Sequence, residues 1–158
     1  MHQASPDAPP GDDLWLTPSQ QRVWRDYLLA VALVNNHLEK RLRDFGLDLG
    51  AYEILVCLSE APDRRLRMSD LAEQVHQSRS RLTHAIARME RAGLVTRANC
   101  SDDGRGVNAQ LTDAGFAVLA KAAPAHVASV REVFVDAIEA DDFAALGRAM
   151  AAILATES

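Results

Sequence analysis

Hydrogen-bond donors crowd one short stretch of this chain. Residues 78–91 read SRSRLTHAIARMER, which places Ser78, Arg79, Ser80, Arg81, Thr83, His84 and Arg88 within about three helical turns. No second histidine or cysteine lies at ligand spacing to complete a metal site. The chemistry open to such a set is recognition. Guanidinium forks make two-pronged bonds to guanine edges or phosphate oxygens, and hydroxyl and imidazole groups bond to base edges or backbone. A second charged segment follows at residues 103–106, where Asp103 precedes Gly104, Arg105 and Gly106. One arginine on a narrow tip suits a minor groove, whose negative potential attracts it.

For these side chains to act together, the chain must carry them on neighbouring elements, and residues 65–112 supply the pattern. Ser69 is placed to cap a first helix, with Asp70 at its positive end and Leu71, Ala72 and Val75 as the buried face. His76 and Gln77 break that pattern, and Ser78 is placed to cap a second helix. There Leu82, Ile86 and Met89 form one stripe. Ser80, His84, Ala87 and Arg91 lie opposite, flanked by Arg81, Thr83 and Arg88. Gly93 supplies a left-handed stop. Residues 94–97 and 107–111 then alternate like two strands around a tip at 99–106. The prediction is a winged helix-turn-helix. Arg79 and Arg81 stand in the first turn of the second helix, where base readers sit, and Thr83 at its edge suits phosphate. Arg91 is expected to solvate the helix end or pair with Glu90.

The order SDLAEQVHQSRSRLTHAIARMERAGLV, then Asp103-Gly104-Arg105-Gly106, then LTDAG resembles the MarR family of transcription regulators. The wing tip and the L-T-x-x-G that follows it are its most specific parts, and the likeness extends over nearly the whole chain. It implies a homodimer that binds a palindromic duplex operator, most often as a repressor, and is released by a ligand or a redox event. It also implies a structural role for Asp103, shaping the wing around its arginine. The chain departs from many members in carrying His84 after Thr83 where they carry arginine, which leaves the base preference open.

Bulk properties agree with one soluble α-rich domain of 158 residues, 48% hydrophobic and 25% charged. The overall charge of −5 looks wrong for a nucleic-acid binder until it is located. Residues 63–106 hold nine arginines against six carboxylates, a local +3, leaving −8 on the rest. A basic module on an acidic body is the footprint of oriented DNA binding. Two cysteines, Cys57 and Cys100, make no disulfide framework. With no apolar run of membrane length and no signal-peptide pattern, a cytoplasmic location beside the nucleoid is expected.

The flanks read as support. Residues 1–16, rich in proline and aspartate, are expected to form a disordered arm. Residues 17–46 form a long helix opened by Thr17, Pro18 and a capping-box Gln20, with a heptad seam through Trp24, Leu28, Val31, Asn35, Leu38, Leu42 and Phe45. Residues 47–112 are the winged helix-turn-helix domain, entered by a buried helix that Asp48 caps and Pro62 ends. Residues 113–158 complete the dimerisation layer, with a kink or break expected before Pro124. The fold class is therefore mainly α with a small β-hairpin wing and terminal dimerisation helices. Relatives take small aromatic or phenolic effectors where these layers meet, which here implicates Trp24, Tyr27 and Tyr52, with Arg25 and His37 as carboxylate partners.

Competing functions have less to stand on. His2, His37, His76, His84 and His126 never pair at i,i+4, and no nucleophile elbow or phosphate loop occurs, so no enzyme, cofactor or metal is expected. Two alternatives remain: a protein-interaction winged helix, and redox sensing through Cys100 at the wing base. The peroxide-sensing branch of the family keeps its cysteine near the start of the first helix, where this chain has none.

Overall fold

A computed structural model describes residues 15–99 and 106–157. Residues 1–14 of the arm expected at 1–16 and the wing tip, with Cys100, Asp103, Gly104 and Arg105, lie outside the described residues. Helix α1 spans Pro18–Leu42, opened by the expected capping box: Thr17 Oγ1 accepts from the Gln20 amide while Gln20 Oε1 accepts from the Thr17 amide. A short 3₁₀ turn, Arg43–Phe45, carries it to Gly46, whose φ of +72° reverses the chain. Helix α2, Leu49–Glu60, is capped by Asp48 Oδ1 accepting from the Ala51 amide at 2.7 Å, and ends before Pro62.

A second module then builds on β1 (Arg65–Arg67), α3 (Met68–Gln74), α4 (Arg79–Arg91), β2 (Val95–Asn99) and β3 (Val107–Leu111). The strands form one antiparallel sheet in the order β1-β3-β2. Two expectations are corrected here. The expected hairpin of β2 and β3 forms, but the sheet gains a third strand, because Arg65-Leu66-Arg67 pairs with β3 in the register Leu66↔Ala109. Ser69 is not the cap of α3: the cap position is Arg67, without a side-chain bond, and Ser69 Oγ donates instead to Asp70 Oδ1.

Leu42, Ile54, Leu55, Leu58, Leu71, Leu82, Ile86 and Val95 are fully buried, so one core joins the end of α1, α2, both helices of the helix-turn-helix and the sheet. Each fully buried aliphatic side chain of this kind contributes about 1.5–3 kcal/mol of burial free energy. Thr112 Oγ1 joins the sheet to α5 (Asp113–Val130), donating toward the Gly93 and Leu94 carbonyls and accepting from the Gly115 amide. A Cβ on Gly115 would overlap the Leu94 carbonyl oxygen and press on Leu111 Cδ1. The L-T-x-x-G pattern is thus a close approach of helix to strand.

Pro124 does not break α5 as expected. The helix continues through it to Val130, and the irregularity comes later, as a π turn at Arg131–Val135. Helix α6, Ala140–Leu154, follows with none of its residues buried.

Candidate nucleic-acid interface

Helix α4 is anchored by one face and open on the other. Leu82, Ala85, Ile86 and Met89 are buried. Ser78 Oγ caps it by accepting from the Arg81 amide, so the first turn starts where the sequence places it. Arg79, Ser80, Arg81, Thr83, His84 and Arg88 are all exposed. Thr83 Oγ1 donates to the Arg79 carbonyl, which leaves its lone pairs outward.

The arginines divide into two groups. Arg88 Nη2 reaches Asp48 Oδ2 at 3.0 Å, tying α4 to the cap of α2. Arg97 Nε and Nη2 bond to Glu90 Oε2 at 2.9 and 2.6 Å, and the Arg97 amide bonds to Glu90 Oε1. Glu90 is therefore the partner of Arg97 and not of Arg91, whose Nε donates to the Ala87 carbonyl. The hydrogen bonds from Arg97 hold the Glu90 carboxyl below its ordinary pKa, so the pair stays ionic at neutral pH. Arg64 Nη1 meets Asp113 Oδ1 at 3.3 Å, and Arg64 Cζ lies 4.0 Å from the centroid of the Phe116 ring. By contrast, no ion pair or side-chain hydrogen bond engages the guanidinium of Arg79 or Arg81 among the described residues.

Between α4 and the root of the wing lies an open concavity of about 460 Å³, lined by Arg67, Ser69, Arg79, Thr83, Arg97 and Val107. Arg65 and Arg67 stand opposite Gln110 and Asn108, on the sheet face away from half-buried Leu66 and buried Ala109. Sequence reasoning missed these two as neighbours of the interface. The polar–apolar–polar alternation of Arg65-Leu66-Arg67 was the available signal.

The residues suggested for an effector do not form one cluster. Trp24 and Tyr27 stack on each other at 5.6 Å on the exposed half of α1, whereas Tyr52 is buried with its ring 4.2 Å from His126. His37 Nε2 faces Glu132 at 3.4 Å, an ion-pair distance without hydrogen-bond geometry. Burial, then Glu60 and Glu53, push the Cys57 thiol up in pKa, which suits a packed side chain better than a reactive thiolate. No cluster among the described residues could hold a metal ion, and no described helix is long and apolar enough to cross a membrane.

Two helices joined by a tight turn, the second open on one face, next to a three-stranded antiparallel sheet, define the winged helix-turn-helix class. Residues 47–107 match the model of the MarR family. AbsC, a MarR family transcriptional regulator from Streptomyces coelicolor, is 48% identical, with a TM-score of 0.85 over 90% of this chain and 96% of its own. Sco3205, a MarR family transcriptional regulator from the same organism solved in complex with DNA, is 43% identical, with a TM-score of 0.87 over 91% of this chain and 94% of its own. The HTH-type transcriptional repressor YetL of Bacillus subtilis is 29% identical over 63% of this chain, and the match spans 60% of YetL. The chain belongs to the MarR family.

Proposed function

We propose that this chain is a transcriptional regulator that binds double-stranded DNA as a homodimer on a palindromic operator, acting as a repressor. The observation that carries it is the start of α4, where Arg79, Ser80 and Arg81 in the first turn and His84 in the second are exposed on a helix whose other face is fixed in the core. Unpaired arginines at a helix start fit major-groove entry, with Thr83 at the groove edge and Ser78 setting the turn. Arg105 is assigned to the minor groove and Asp103 to shaping the wing. The complex of Sco3205 with DNA supports the same partner class here.

The second copy is argued from what one chain leaves uncovered. Val23, Leu29 and Leu33 on α1 and Ile153 and Leu154 on α6 are all more than half exposed. Surfaces of that kind mark an interface. With two recognition helices about one DNA turn apart, half-sites lie about 10 base pairs apart, centre to centre.

Release by a small aromatic or phenolic compound completes the reading, supported by the exposed Trp24–Tyr27 ring pair, to which a flat ligand can stack. Ligand and operator then antagonise each other by one common factor. Titrating aromatic carboxylates and phenols into the protein–DNA complex of the wild type, Trp24→Ala and Tyr52→Ala tests this. Unchanged affinity with every compound removes the effector site.

Electrophoretic shift with duplexes selected by the protein from a random pool tests the main proposal. A retarded dimer–duplex band is expected. No shift at low salt would favour the protein-interaction module.

A further inference from the structure

We propose that Arg97 is a positioning residue that locks the wing to the recognition helix through Glu90, leaving phosphate contacts to other arginines. This rests on the DNA-binding reading above.

Strand register gives the first observation. Arg97 pairs with Ala109, and Val95 with Leu111. Side chains at paired positions share one face of a sheet. Ala109, Val95 and Leu111 are buried, so Arg97 leaves its strand on the inward face, toward the end of α4. Thr96 and Ala98 take the outward face.

The second observation is what it meets there. Glu90, in the last turn of α4, takes three bonds from Arg97, one from the backbone and two from the guanidinium. Only 37% of the Arg97 side chain and 34% of the Glu90 side chain remain accessible. Between them the chain turns through Gly93 at φ +73°, whose amide bonds to the Glu90 carbonyl. The clamp therefore closes a seven-residue loop between the two elements assigned to adjacent grooves. It fixes their angle before DNA arrives, and its arginine charge is already met.

Compare Glu90→Gln, Arg97→Met, and the swapped pair Glu90→Arg with Arg97→Glu, each as the full-length protein. In the free protein, amide hydrogen exchange of β2 and β3 should speed up in both single variants and slow again in the swap. This arm needs no DNA, so it judges the clamp even if the functional reading fails. On a selected duplex, each single variant should bind about three- to tenfold more weakly, and the swap should recover most of it. The log–log salt slope should stay that of the wild type in Arg97→Met. A fall of about 0.9 in that slope means that Arg97 neutralises a phosphate and overturns the proposal. So does exchange in the wing that neither single variant alters, or a swap that restores nothing.

Discussion

At the residue scale, the proposed division between DNA-reading and structural arginines rests on whether a carboxylate already holds them. Arg64, Arg88 and Arg97 are held by Asp113, Asp48 and Glu90. Among the described residues, no carboxylate holds Arg79 or Arg81. Sequence patterning placed Arg79, Arg81 and His84 on the open face because helical periodicity is local. It could not show that Arg88, read there as a DNA contact, also bonds to Asp48, because that partner lies 40 residues away and no spacing rule reports such a pair. Two variants separate the proposed roles. Arg81→Ala should cost about 1–3 kcal/mol at one base pair and relax preference there. Arg105→Ala should weaken every duplex alike and lower the salt slope by about one unit. Affinities across a panel of base-substituted duplexes at several salt concentrations check both.

At the element scale, caps and stops were the most legible features. Thr17, Asp48, Ser78 and Thr112 all cap as their sequence neighbourhoods indicate. Ser69 failed as a cap because β1 runs straight into α3, which puts Arg67 at the cap position. Strand β1 was missed because three residues are too few for a periodicity to show. Ser78→Ala should lower stability by about 0.5–2 kcal/mol through the lost cap. Gly115→Ala should lower it by about 1–3 kcal/mol through overpacking against Leu94 and Leu111. Denaturant titration measures both. His126 gives a pH test. Burial against Tyr52 lowers its pKa below the ordinary 6.5, so the fold favours the neutral ring. The unfolded chain protonates first as pH falls. Stability should thus be complete above about 6.5 and decline as pH drops through that value toward the folded pKa. His126→Gln should flatten that decline, read as the midpoint of denaturation between pH 7.5 and 5.

At the scale of the whole molecule, stripes of apolar residues mark the faces that need cover. A single sequence shows a stripe but not what covers it. The upper seam of α1, at Trp24, Leu28 and Val31, remains exposed in one chain, whereas Leu38 and Leu42 enter the core. The homodimer proposal predicts a dimer by sedimentation at micromolar concentration, and a monomer there would contradict it. The central claim is that the first turn of α4 reads duplex sequence. It is tested most directly by fluorescence anisotropy of wild type and Arg81→Ala on one selected duplex and its single-base variants. The account predicts that wild type discriminates at the contacted base pair about ten- to a hundredfold, and that Arg81→Ala loses this discrimination there while keeping it elsewhere. Equal affinities of the two proteins on every duplex, or a loss of the same size on all of them, would contradict it.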